Sequence, residues 1–169
     1  MRQLAVVVGF FWLSMLSVHA QSSVTGKMEA EVAIPVSAVE TELLNFGKII
    51  PETGGGTIRI TSNNERTATG SVKFQDDVYN AGKFVISAVP NSLVSITLPQ
   101  IAQKLSLTNG NAEIAVDGFE SDIPVGGQIV RQSDGKVEVS IGATLHIGNG
   151  ATNPAGYYSG TYEIVFMYN

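Results

Sequence analysis

The chain has 169 residues, 10 basic and 15 acidic side chains, two histidines, 18 glycines and no cysteine. Its formal charge of −5 carries no basic cluster, which argues against nucleic acid or an anionic membrane surface as partner. The absence of cysteine excludes disulfides, thiol chemistry and a lipid anchor on Cys.

The N-terminus reads as a targeting segment spanning residues 1–20. Arg2 supplies the positive region, Leu4 to Val18 the apolar stretch, and Val18-His19-Ala20 the small residues of a cleavage site before Gln21. The apolar run falls short of the ~20 residues a membrane-spanning helix needs. Export is therefore expected, to the periplasm, the cell surface or the medium. The mature remainder is long enough for one domain with its own core.

Period-two alternation governs the rest, and no segment carries a helical pattern longer than two turns. Met28, Ala30, Val32, Ile34 and Val36 share one face of an extended segment, which Pro35 confines to an edge or bends. Leu43 to Ile50 is a second apolar stretch, expected to end at Pro51 and a turn at Gly54-Gly55-Gly56. Short strands follow at Thr57–Ser62, Ser71–Phe74, Lys83–Ala88 and Leu93–Leu98. Others are expected at Leu105–Leu107, Glu113–Val116 and Gln128–Arg131. The clearest alternation runs from Lys136 to Ile147, as one long strand or as two with a bend at Gly142. The chain closes on a strand in which Tyr162, Ile164, Phe166 and Tyr168 share one face, while Val165 and Met167 make half of the other face apolar too. Such a final strand needs cover on both sides, and no hairpin partner follows it. Strand addition to another chain is the binding mode this suggests.

The pattern predicts an all-β fold, a sandwich of two antiparallel sheets, with a closed barrel as the alternative. A hydrolase would need a nucleophile, a base and an orienting group. His146 is the one imidazole left after cleavage and lies on the polar face of the long strand; no Gly-x-Ser-x-Gly elbow is present. No catalytic residue is assigned. Asp76-Asp77 and Glu120-Ser121-Asp122 lack the spacing of a calcium loop and read as solvated loops, so neither metal nor cofactor is expected. Gly148-Asn149-Gly150 reads as a turn, and Tyr157-Tyr158 as a strand lead-in rather than a sugar platform.

One series of motifs runs through the mature chain: Leu44-Asn45-Phe46-Gly47, Gly54-Gly55-Gly56-Thr57, Phe84–Ser87, Ser95–Pro99, Ile141–Leu145 and Gly156–Tyr162. In their order and spacing these resemble the bacterial family called domain of unknown function 4402, itself similar to spore-coat-U-like and chaperone–usher pilin subunits. The resemblance implies an immunoglobulin-like, pilin-like sandwich exported in a Gram-negative bacterium. It also implies a sandwich lacking one strand, filled first by a periplasmic chaperone and then, at an outer-membrane usher, by the N-terminal extension of the next subunit. The penultimate Tyr of pilins falls at Tyr168, and their Gly fourteen residues from the end at Gly156. The lack of cysteine and the short extension depart from that pattern.

The resulting expectation is a non-enzymatic structural subunit of a surface fibre, with a signal peptide at 1–20, an extension at 21–31 and a domain at 32–169. The donor face would be Met28, Ala30, Val32 and Ile34, and the acceptor face Tyr162, Ile164, Phe166 and Tyr168. The alternative is a secreted binding or adhesion domain that closes its own sandwich with residues 28–36, since a first strand and a donor strand carry the same alternation.

Overall fold

The computed structural model describes residues 23–32, 34–123, 128–130 and 133–168; the signal-peptide reading lies outside these residues. The chain divides into two units, residues 1–32 and 33–169. In the first, residues 23–32 have no regular secondary structure and are exposed, Met28 to 97% and Val32 to 94%.

The second unit is all-β, and every ladder in it is antiparallel. The strands are β1 (Ser37–Glu42), β2 (Ile49–Ile60), β3 (Arg66–Phe74), β4 (Gly82–Ser87), β5 (Leu93–Thr97) and β6 (Gln103–Leu107). They continue as β7 (Glu113–Ser121), β8 (Gln128–Val130), β9 (Lys136–Ile147), β10 (Tyr158–Ser159) and β11 (Val165–Tyr168). The larger sheet runs β1-β4-β9-β7-β6-β10, with the β2-β3 hairpin also joined to β9. It curls as a half-barrel. The smaller sheet runs β11-β5-β8.

β9 organises both. Its odd-numbered residues Val137 to Ile147 form one uninterrupted apolar face, because side chains alternate sides. Ala143, Leu145 and Ile147 pack with Phe46, Ile58, Ile60, Ile114 and Val116 inside the curl of the larger sheet. Val139 and Ile141 pack with Ile86 against Val94, Ile96 and Leu98 from the smaller sheet's side. Across this second cluster the two sheets lie face to face.

β9 is one strand, with no break at Gly142. That glycine marks where its neighbour changes: β4 pairs with residues 136–141 and β2 with residues 143–147. A Cβ at position 142 would strike the Ile60 carbonyl oxygen, so the end of β2 is seated where only hydrogen stands.

Two expectations need correction. Within the alternating run at 28–36, residues 28–32 and 34–36 form no strand; among the described residues the first ladder begins at Ser37, just beyond Pro35, which has no N–H to give. The Gly54–Gly56 stretch does not end a strand either. β2 passes through it with a register shift between Pro51 and Gly55, which sits at φ 65° opposite a β3 containing Gly70 at φ 76°.

Leu145→Ala should cost about 2–5 kcal/mol, the range for a buried Leu truncated in a core that relaxes only in part. Val165→Ser, on an exposed face, should stay within about 0.5 kcal/mol. Urea unfolding of both variants checks the contrast.

Candidate binding site

The C-terminal segment crosses from one sheet to the other. Tyr158 and Ser159 pair with Leu107 and Ser106 of β6, and six residues later β11 pairs with β5 from Val165↔Thr97 to Tyr168↔Val94. Between them, Tyr162 and Ile164 continue the inward face without a ladder of their own. Phe166 and Tyr168 complete that face, and all four side chains are only half-buried. Outward, Val165 is 41% and Met167 52% exposed.

β11 has β5 on one side and, among the described residues, no partner on the other. β1 is likewise an edge strand, bonded among the described residues to β4 alone. Its register sets Ala38 opposite Ile86 and Glu40 opposite Phe84. Directly paired residues share a face, so Ala38 and Glu40 point the way Ile86 and Phe84 do, into the space between the sheets. Ile86 is fully buried, yet Ala38 and Glu40 are exposed. The inner face of β1 therefore lacks cover among the described residues.

The two open edges lie on one flank. Phe84 of β4 sits edge-on to Tyr162 at 6.2 Å and tilted to Phe166 at 6.5 Å. Val36, just before β1, packs on the same cluster. The Tyr168 hydroxyl donates to the Ile34 carbonyl at 2.7 Å and accepts from the Val89 amide at 2.9 Å. The result is an apolar slot bordered by the unpaired backbone of β11 and the uncovered face of β1. An unpaired strand edge offers a row of N–H and C=O groups to an incoming strand, and the half-buried side chains beside it gain by being covered.

A buried polar group lies at the Tyr162 end of the slot, against Gly82. The Tyr162 hydroxyl is buried and has no hydrogen-bond partner among the described residues. Burial pushes its pKa well above the ordinary phenol value, and the nearby Glu40 carboxylate adds to the rise.

The expected acceptor residues Tyr162, Ile164, Phe166 and Tyr168 are thus brought together. Of the expected donor residues, Met28, Ala30 and Val32 are exposed in the N-terminal unit, and Ile34 is exposed in the domain. Sequence reading missed Glu40 and Ala38, because their inward orientation follows from pairing with β4. It also missed Arg66, whose side chain is 3% exposed. Its guanidinium lies 3.9 Å from the Phe74 ring centroid and 4.3 Å from that of Tyr79. It also donates to the Phe46 and Asp76 carbonyls, fastening the loop after β3.

The remaining candidates have ordinary surroundings. His146 lies 2.7 Å from Asp117 on the exposed face of the curled sheet. Asp76 accepts from the Lys48 and Val78 amides, Asp122 from the Ser140 amide, and Glu120 pairs with Arg59. Among the described residues no three His, Cys, Asp or Glu side chains gather as a metal site. Tyr158 packs against the first core cluster and donates to the Pro154 carbonyl, while Tyr157 is exposed.

Against families of known proteins, residues 34–168 match the model described as Domain of unknown function (DUF4402). The chain belongs to the DUF4402 family. No curated protein and no solved structure matches it. The DUF4402 match begins and ends at the two residues joined through the Tyr168 hydroxyl, so it encloses the whole slot.

Tyr162→Phe should raise stability at pH 7 by about 1 kcal/mol, since it removes an unpaired buried hydroxyl and keeps the ring. The pH sign follows from the raised pKa. Above the ordinary phenol value of 10.0 the unfolded Tyr162 ionises while the folded one stays protonated, so folded stability falls as pH rises further. The wild-type chain should lose stability more steeply than Tyr162→Phe above that pH, as read from urea midpoints across an alkaline series.

Proposed function

We propose that this DUF4402 protein is an exported, non-enzymatic structural subunit of a surface fibre, and that the slot between β1 and β11 receives a strand from another copy. The observation that carries this reading is the open flank: an unpaired edge at β11 beside the uncovered inner face of β1.

The strand order supports a finer reading of the fold. An immunoglobulin-type sandwich sets strands A, B, E and D in one sheet and C, F and G in the other. Here β1-β4-β9-β7 follows the first order, and β11 beside β5 follows F beside C, with the strands in the same chain sequence. The β2-β3 hairpin, β6, β8 and β10 are additions. Strand G would lie at the free edge of β11, and the described residues supply none. On this reading the domain is a pilin-like sandwich short of one strand.

The donor would be the N-terminal extension. Residues 21–34 span roughly 45 Å when extended, ample for a four-residue strand such as β11. Met28, Val32 and Ile34 would each gain about 1.5–3 kcal/mol on full burial, and backbone pairing would fix the register. The ordering cost of the extension is set against this gain. Before assembly, a periplasmic chaperone would cover the same slot, and an outer-membrane usher would oversee the exchange.

Removal of residues 21–31 from the processed chain should abolish assembly, while the truncated domain still binds a synthetic peptide of residues 23–34. Light scattering and fluorescence anisotropy read the two effects. Normal assembly of the truncated chain would refute donation by this segment.

A further inference from the structure

We propose that Tyr162 donates a hydrogen bond to Glu40 when a strand from another copy covers the slot, and that this pairing makes the two residues positioning residues for docking. It rests on the strand-donation reading and adds what the slot demands at its Tyr162 end.

Gly82, Phe84 and Ile86 are the inward positions of β4, since side chains alternate sides along a strand. The Tyr162 ring stands edge-on to Phe84 at 6.2 Å and tilted against Phe119 at 5.3 Å. Its hydroxyl reaches over Gly82: a Cβ there would stand 2.6 Å from the phenol oxygen and 3.4 Å from the Leu44 Cβ. The missing side chain makes the room, and Leu44 closes the corner. The hydroxyl is thereby buried among apolar groups, with no hydrogen-bond partner among the described residues. Across the β1–β4 ladder, Glu40 pairs with Phe84 and is the diagonal neighbour of Gly82 on the same face. Diagonal neighbours lie about 7–8 Å apart, within reach of a long side chain. Burial chiefly, and then the Glu40 carboxylate, raise the Tyr162 pKa, so the charge is felt at the phenol. Lys83, the cation beside it on β4, lies on the opposite face and bonds Glu42 at 3.0 Å.

With the slot open, Glu40 is exposed and water satisfies its carboxylate. Docking changes that balance. A strand laid along β11 with an apolar face inward removes the water from Glu40, and a carboxylate buried without donors is costly. The N–H groups of the incoming strand point sideways to its neighbours in the sheet. An inward face of Met28, Ala30, Val32 and Ile34 brings no side-chain donor. The Tyr162 hydroxyl has a proton to give on that side. A phenol–carboxylate bond is charge-assisted, shorter and stronger than one between neutral groups. One such bond satisfies both groups in the filled slot, and either group alone leaves the other unsatisfied.

The test is a double-mutant cycle on the processed chain, read as the affinity for a labelled peptide of residues 23–34 by fluorescence anisotropy, at protein concentrations low enough to keep the chains single. Tyr162→Phe keeps the ring and leaves Glu40 without its donor, so affinity should fall about tenfold. In a Glu40→Ala background the same change should alter affinity by less than about twofold, because no carboxylate remains to be satisfied. In a Glu40→Gln background the loss should persist, since the amide oxygen still accepts the bond. Urea midpoints of the peptide-free chains supply a second readout. There Tyr162→Phe should stabilise while it weakens docking, whereas a ring that merely packs would move both in one direction. Unchanged peptide affinity in Tyr162→Phe overturns the pairing, as does a loss of equal size in the Glu40→Ala background, and in either case strand donation stands. If the unaltered chain does not bind the peptide at all, strand donation itself falls and the pairing falls with it.

Discussion

The unbroken apolar face of β9 is the constraint on which the rest of the domain is built. Six inward residues on one strand serve two cores, the C-terminal three within the curl of the larger sheet and the N-terminal three between the sheets. One strand cannot keep a single neighbour along such a length while the sheet around it bends. β4 therefore covers its first half and β2 its second, with Gly142 admitting the chain end of β2 at the crossing. β7 spans the other side and follows the bend through a register shift at Gly118, where φ is 58°.

The two cores are finished to different degrees. Around Leu145 the curled sheet encloses its own apolar residues. Around Ile141 the cover is the small sheet β11-β5-β8, and it stops at β11. Ile86, Val94 and Ile96 beneath β5 and β4 are fully buried, whereas Tyr162, Ile164, Phe166 and Tyr168 are half-buried and Ala38 and Glu40 are exposed. The gradient runs toward a single flank, between β1 and β11. Proteins commonly blunt an open edge with charge, proline or a bulge. Here the four residues of β11 itself carry none of these, though Glu40 and the β1 bulge between Glu40 and Glu42 lie across the slot.

The ends of the domain are coupled at that flank. Tyr168, one residue from the C-terminus, shares its hydroxyl with Ile34 at the root of the N-terminal extension. A contact over such a sequence separation links the root of the N-terminal extension to the open edge of β11. The orphaned Tyr162 hydroxyl at the far end of the slot is the sort of unsatisfied group that native interiors seldom leave.

Strand positions and inward faces were legible wherever alternation was regular. Lys136–Ile147 was readable to its boundaries, since a period of two states which residues share a side. It also showed that the last strand is apolar on both faces. It does not state which edges meet. That is why the alternating run at 28–36 looked like a strand although no ladder forms there, and why SAVETE at 37–42, with little apolar signal, went unread as β1. Only the three-dimensional arrangement turned Glu40 inward, carried β2 through its glycines, enclosed Arg66 between two rings and left β11 unpaired on one side among the described residues. Hydrogen-bond pairing between strands distant in sequence decides those features, and local alternation carries no information about it.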